Sequence, residues 1–226
     1  MSDKIFSAHQ LSFFPWIGFW RKIYQSDFFD LSIYDQFTKN TWIHFSYIGN
    51  NEKRIRWSLP IEKDFIIHSS KYCIKDVLVK EDFASKMLEQ FYKVHHNDRY
   101  FEYAFPLLKE WLFSVEKLKK LWLINFVLIN KVYEYLQLNT ALAIMPYMNN
   151  NDSISGKIAA QTQALGCQMY LSGPHGVDYL DIAEFNKKGI KVVFQDTAEL
   201  YKKYPESIIS LLSEYGVNYV IELLKA

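Results

Sequence analysis

The sequence predicts an α/β fold: a mixed, largely parallel sheet with a helical block in the middle of the chain. Three observations predict it. Residues 4–34 read strand, Pro/Gly elbow, helix, strand, which is a β-α-β opening. Residues 83–136 carry apolar side chains at helical spacing in three successive segments. Residues 141–195 return to short strands separated by helical patterns. Strands that alternate with helices specify a parallel sheet with helices on its faces.

Residues 4–9 form the first predicted strand, an apolar run that delivers His9 and Gln10 to its carboxyl end. Pro15 precedes a predicted helix over 17–25, and residues 28–34 (Phe-Phe-Asp-Leu-Ser-Ile-Tyr) alternate as a second strand. Residues 42–48 and 54–61 flank Gly49-Asn50-Asn51 and read as a hairpin, with residues 73–79 a fifth strand. In the middle, Phe83, Met87, Leu88, Phe91 and Val94 put 83–95 on a helix, and 104–113 and 116–136 continue that pattern. Ala141–Met148 reads as a strand and Asn149-Asn150-Asn151-Asp152 as a turn. Asp152 or Ser153 then caps a helix running to Leu165, with Gly166 just past its end. Residues 168–172 form a short strand entering the loop Ser172-Gly173-Pro174-His175-Gly176. A helix over Tyr179–Lys187, a strand over Ile190–Gln195, and helices over 205–214 and 217–225 complete the order. Residues 1–226 are expected to form one α/β domain, with 83–136 a helical subdomain or insertion.

With 226 residues, half of them hydrophobic and 17% aromatic, the chain can bury a substantial core. Lys+Arg number 26 against 25 Asp+Glu, so no basic field favours nucleic acid and none is expected as a partner. Cys73 and Cys167 have no metal-ligand spacing and read as plain thiols. The start Met1-Ser2-Asp3-Lys4 leads into no long apolar segment, and the run near Leu121–Leu128 is interrupted by Asn125. Neither supports a signal peptide or a membrane span, and the expectation is a soluble cytoplasmic protein. The sequence sets no oligomeric state.

In open α/β sheets ligands sit at the carboxyl ends of the strands. Two consecutive predicted strand ends carry polar clusters: His9-Gln10, and Tyr34-Asp35-Gln36-Phe37-Thr38-Lys39. His9 has two readings, a catalytic base or a cap on the strand end. Asp35 and Lys39 read as an acid–base couple or a surface ion pair. Trp16, with Phe13 and Phe14, can stack on a ligand or fill the core. The loop Ser172, Gly173, His175 and Gly176 can cradle an anion with backbone N–H groups, or serve as a plain turn. His95 and His96 read as a solvated helix end and His44 as a packing residue. No P-loop, G-x-G-x-x-G, G-x-S-x-G or H-E-x-x-H motif is present, so neither a metal nor a cofactor is expected.

The opening resembles that of the WbqC-like family. Gln10, Phe14, Pro15, Trp16, Gly18, Lys22, Ile23, Ser26, Asp27 and Asp35 match its pattern, and Gln36 and Lys39 approximate the tail. Later matches include Gly156-Lys157, Leu165-Gly166, Tyr170-Leu171-Ser172-Gly173, Tyr179-Leu180, Phe185, Gly189-Ile190, Phe194-Gln195 and Tyr201. Ser207–Leu212 and Gly216 fit as well, so the resemblance spans nearly the whole chain. Leu11 replaces the usual proline after Gln10, and Cys167 stands where a small residue is usual. An Asn-Arg pair is missing after Lys39, where Trp42-Ile43-His44 stands; if that arginine binds an anion in relatives, either His44 or Arg54 substitutes or that contact is lost.

The resemblance implies a place in bacterial surface-polysaccharide (O-antigen or capsule) biosynthesis. It implies transfer of an acyl or aminoacyl group, such as glycyl, to a nucleotide-linked amino sugar. His9 and Asp35 are then the catalytic candidates. Gln10, Trp16, Lys22, Gln36, Lys39, Ser172, Gly173, His175 and Gly176 are the substrate-binding ones. The partners are the nucleotide-linked sugar and an acyl or aminoacyl donor. Two alternatives stand beside it: a nucleotidylyltransferase-like enzyme, and a non-catalytic scaffold of a polysaccharide-assembly complex. The segment Phe14–Gly18 weakly resembles the His-x-Gly-His turn of nucleotidylyltransferases but lacks both histidines.

Overall fold

Seven strands form in two sheets in the computed structural model, which describes residues 3–49, 53–146 and 152–225. The main sheet contains β1 (Ile5–Gln10), β2 (Phe28–Ser32), β5 (Ala141–Ala143), β6 (Met169–Ser172) and β7 (Lys191–Phe194). Its order is β5-β2-β1-β6-β7 and every pairing is parallel. The hairpin β3 (Phe45–Ile48) and β4 (Ile55–Ser58) is antiparallel and stands apart from it. The fold is therefore α/β with a parallel main sheet, and antiparallel pairing falls in the hairpin and in isolated bridges.

The helices among the described residues are α1 (Ile17–Tyr24), α2 (Lys63–Ile67), α3 (Ala84–His95), α4 (Phe101–Val115) and α5 (Leu121–Tyr135). They continue as α6 (Ile154–Ala164), α7 (Ile182–Asn186), α8 (Ala198–Lys203), α9 (Ile208–Tyr215) and α10 (Val217–Lys225). Side chains alternate across the strands, so each face buries its own set. One face gives Phe29 and Leu31 to a large cluster with Ile17, Trp20 and Ile23 of α1. That cluster runs without a break into α3, α4, α5, α9 and the hairpin. The other face gives Phe6 and Tyr170 to a smaller cluster with Ala159 of α6 and Phe185 of α7. Helices thus cover both faces, and the apolar strand ends that the sequence shows are buried between them.

Several elements depart from expectation for identifiable reasons. Residues 73–79 form no strand. Their backbone is divided among three separate segments: Ile74 N–H donates to Asp35, Val77 accepts from Leu121, and Val79 donates to Lys119. A single 3₁₀ turn over Ile74–Asp76 results, with isolated bridges on either side. The helix expected from Tyr179 begins only at Ile182, because Asp181 caps it through its Oδ1 to Ala183 N–H (3.0 Å). The residues before it form a 3₁₀ turn over Pro174–Asp178. The strand expected over Ala141–Met148 pairs only through Ala143. Its last two residues, the turn Asn149–Asn151 and the hairpin residues Asn50 and Asn51 lie outside the described residues. The cap at Ser153 is as read, with its hydroxyl accepting from Gly156 N–H at 3.1 Å.

Candidate functional site

Taken in chain order, the sheet's strands run third, second, first, fourth, fifth across the sheet. The chain winds one way from β1 to β5, then returns beside β1 and winds the other way. The reversal falls between β1 and β6, and such a switch point is where open α/β sheets bind ligands.

Here the gap is visible in the pairing itself. The β1–β2 ladder runs as far as Gln10–Ser32, and β6–β7 as far as Ser172–Phe194. The β1–β6 ladder holds only Ile5–Met169 and Phe6–Tyr170. Beyond those residues the strands part. Asp27 N–H donates to Ile5 O and Leu11 N–H to Ser32 O, so odd-numbered residues of β1 turn their peptide groups toward β2. Even-numbered ones face the gap. Carbonyls of Ala8 and Gln10 therefore need partners that β6 does not supply. Side chains take that place. Lys22 Nζ donates to Ala8 O at 2.8 Å, and Gln10 O is met by His9 Nδ1 at 2.8 Å and by Ser12 Oγ at 3.3 Å.

His9 is open to solvent, yet it sits deep among protein atoms with its ring against the edge of Phe19 (5.2 Å). Burial, then the nearby charge of Lys22, lowers its pKa to about 4. The solvated face moderates that depression, but its direction is toward the neutral imidazole. A carbonyl oxygen only accepts, so Nδ1 carries the proton and Nε2 keeps its lone pair. Lys22, buried in α1 and bonded to one carbonyl, has its ammonium lowered to about 7 by burial. Asp30 lies in β2 in register with Ala8 and is buried. Its Oδ1 accepts from Met145 N–H at 2.8 Å. Burial, and secondarily the charge of Asp35, raises its carboxyl to about 6. Asp35 also acts on Tyr170 and Tyr179, raising both hydroxyls beyond what burial does. Asp30, Asp35, Tyr170 and Tyr179 thus share one electrostatic neighbourhood at the ends of β2 and β6, on the sheet face opposite His9.

The predicted residues separate into groups. His9, Gln10 and Lys22 sit on the β1 edge of the gap, and Ser172 and Gly173 at the end of β6. Ser172 is buried, and a Cβ on Gly176 would lie 1.9 Å from its hydroxyl, so Gly176 is required by close packing. His175 projects into solvent, 3.6 Å from Asp178. Trp16 stacks edge-on against Tyr201 (5.2 Å) and covers Gly18, where a Cβ would meet its ring at 2.3 Å. Gln36 and Lys39 are exposed, and Gln36 bridges to Cys73.

His95 is not solvated: it is buried, with Nδ1 2.6 Å from Asp98 and Nε2 accepting from Gly49 N–H (3.2 Å) beside Ser210 Oγ (3.0 Å). Asp30 was legible as a lone acid in an apolar strand. Arg56, described below, carried no such signal. Cavities of about 400 and 250 Å³ lie between α4, α9 and α10, around Tyr100, Tyr215 and Asn218, and contain none of the predicted residues. The candidate site is placed by strand topology and side-chain chemistry, away from both cavities. Among the described residues no helix is long and apolar enough to cross a membrane.

Fold and gap together define a doubly wound α/β protein with a polar switch-point site. Residues 10–214 match the WbqC-like protein family, and the chain belongs to that family. It is 27% identical over 229 residues to Uncharacterized protein Rv1507c of Mycobacterium tuberculosis (strain ATCC 25618 / H37Rv), covering 92% of this chain and 93% of that one. No solved structure matches.

Proposed function

We propose that this protein is a cytoplasmic transferase of bacterial surface-polysaccharide (O-antigen or capsule) assembly. It moves an acyl or aminoacyl group onto the amine of a nucleotide-linked amino sugar. The observation that supports it most is His9, a neutral imidazole at the switch-point gap with Nδ1 held by Gln10 and Nε2 free. Attack of the sugar amine on the acyl carbon forms the C–N bond. The donor's leaving group departs with the electrons of the bond it breaks, and His9 Nε2 takes the amine's proton. Lys22, Gln10 and the amides near Gly173 are the groups available to the developing oxyanion. Burial, with a smaller push from Asp35, raises the Asp30 carboxyl to about 6, which makes Asp30 a second proton carrier at the end of β2.

The strand order also favours a second reading, nucleotidylyl transfer, since doubly wound sheets bind nucleotides at this point. That reaction releases pyrophosphate from a nucleoside triphosphate. One experiment separates them. The chain is incubated with nucleotide-linked amino sugars and acyl or aminoacyl donors, and separately with nucleoside triphosphates and sugar phosphates, and products are resolved by mass. An N-acylated sugar that disappears with His9→Asn supports the first reading. Pyrophosphate release supports the second. No product in any arm, with tight binding to other assembly proteins, leaves a scaffold.

A further inference from the structure

The chain between β2 and the hairpin holds a cation that nothing described above uses. Asn125 Nδ2 donates to Leu11 O (3.5 Å) and Ile43 O (2.7 Å), tying the segment before β3 to the end of β1. His44 follows directly and is buried. Arg56, on β4, reaches across to it: Nη2 lies 3.3 Å from His44 Nε2 and 3.4 Å from Lys39 O, and Nε 3.2 Å from Ser58 Oγ. The guanidinium is stacked over the Phe45 ring at 3.8 Å.

This is a fixed, exposed cation. Among the described residues its Nη1 edge, with two N–H donors, has no partner, and no carboxylate lies within 4.0 Å of Arg56 or of the Lys39 ammonium. A guanidinium only donates, so His44 Nε2 is the acceptor and Nδ1 carries the proton. That Nδ1 is buried with no hydrogen-bond partner, while burial and the charge of Arg56 hold the ring neutral. A buried donor left unmade costs on the order of 1–3 kcal/mol, so the ring is held here by its bond to Arg56 and its packing rather than by a second hydrogen bond. Two exposed cations on adjoining backbone, with no acid paired to either among the described residues, is the chemistry of an oxyanion site. Arg54, the alternative in the sequence, stacks on Tyr47 instead and faces Glu206.

We propose that Arg56, braced by His44, and Lys39 bind the diphosphate of the substrate beside the switch-point gap. A planar guanidinium edge takes two phosphate oxygens in parallel, and a lysine supplies a mobile point charge. The assignment rests on the transferase reading for its place in the reaction, but its test is binding alone.

Inorganic pyrophosphate is titrated into the full chain by calorimetry. Saturable binding is expected, weakened at least 10-fold by Arg56→Gln, less by Lys39→Gln, and unchanged by Arg54→Gln. Arg56 is exposed at the hairpin, and circular dichroism of each variant verifies the fold. UDP competing for the bound pyrophosphate marks a nucleotide-sugar source, and coenzyme A competing marks an acyl-carrier source. No saturable binding, equal binding by Arg56→Gln, or competition by neither compound (an adventitious ion only) overturns the assignment. Arg56-dependent binding with no acyl transfer keeps the site and removes the transferase reading. Transfer with an unchanged KM for both the nucleotide sugar and the acyl donor in Arg56→Gln does the reverse.

Discussion

Nδ1 of His9 lies 2.8 Å from the carbonyl oxygen of Gln10, the next residue along the same strand. The bond exists because β1 and β6 part after Phe6 and Tyr170, which leaves that carbonyl facing a gap. One interaction therefore satisfies the strand end and selects the imidazole tautomer. Of the two readings of His9 from sequence, the cap describes this contact, and the base would use the other ring nitrogen, Nε2.

His9→Asn is expected to fold normally and to lower kcat for acyl transfer by roughly 10²- to 10⁴-fold, the usual contribution of a proton-transfer group. With the histidine lowered from 6.5 by burial and the charge of Lys22, the base is present above its depressed pKa and lost as the pH falls through it. The wild-type rate should show an acid limb below the usual histidine range, absent from the residual rate of the variant. A variant that keeps full turnover would remove His9 from the chemistry and leave Asp30 or Asp35 to carry it.

Gly173 and Gly176 stand three residues apart and should answer alanine differently. Nothing lies within 4 Å of a Cβ on Gly173, whereas one on Gly176 meets Ser172 Oγ at 1.9 Å and Leu180 Cδ1 at 3.1 Å. Gly173→Ala is expected within about 0.5 kcal/mol of wild type. Gly176→Ala must push the end of β6 or the following turn and should cost about 1–3 kcal/mol. Urea melts of the two variants check the contrast, and equal midpoints would show that the β6 end moves freely.

Much of this arrangement could be read from the chain because it rests on local pattern. The β1-α1-β2 opening, the Ser153 cap, and Gly166 at φ +66° past α6 all follow from residues near in sequence. What escaped depends on distant partners. Residues 73–79 have strand composition, but Asp35, Lys119 and Leu121 divide their backbone between them. Arg56 looks like any exposed strand arginine until the hairpin docks it against His44 and Lys39. His95 was legible and misread. Ala84, Met87, Leu88, Phe91 and His95 fall at helical spacing on one buried face of α3, and the neighbouring polar residues hid that.

His95 accordingly carries structure, and His96 does not. Its ring lies 4.3 Å from that of Phe91 and joins α3 to Asp98, to Ser210 of α9 and to the amide of Gly49. His95→Ala leaves a cavity and strands the Gly49 amide and the Asp98 carboxylate without their partner. A loss on the order of 3 kcal/mol is expected. His96 is exposed on Tyr92, and His96→Ala should change stability by less than about 0.5 kcal/mol. Equilibrium denaturation decides it; a His95→Ala midpoint matching wild type would mean the hub is dispensable.

Glu206 provides a test of the buried electrostatics away from the site. It is 2% exposed and its Oε2 has no hydrogen-bond partner. Burial, reinforced by Glu214 and opposed by Arg54, raises the carboxyl to about 7 from 4.5. The sign follows from proton counting. Between pH 4.5 and 7 the folded chain keeps this proton while the unfolded chain has released it, so stability falls as pH rises through that window. At 1.36 kcal/mol per pH unit the ceiling is about 3 kcal/mol, complete above pH 7 and absent below 4.5. Glu206→Gln removes the titration while keeping the side chain's size. Relative to wild type the variant should be more stable at pH 8, by about 1–3 kcal/mol, and nearly equal at pH 5. Urea unfolding at the two pH values measures the difference of differences. If it is zero, the glutamate is solvated or paired in solution and its burial does not govern its charge.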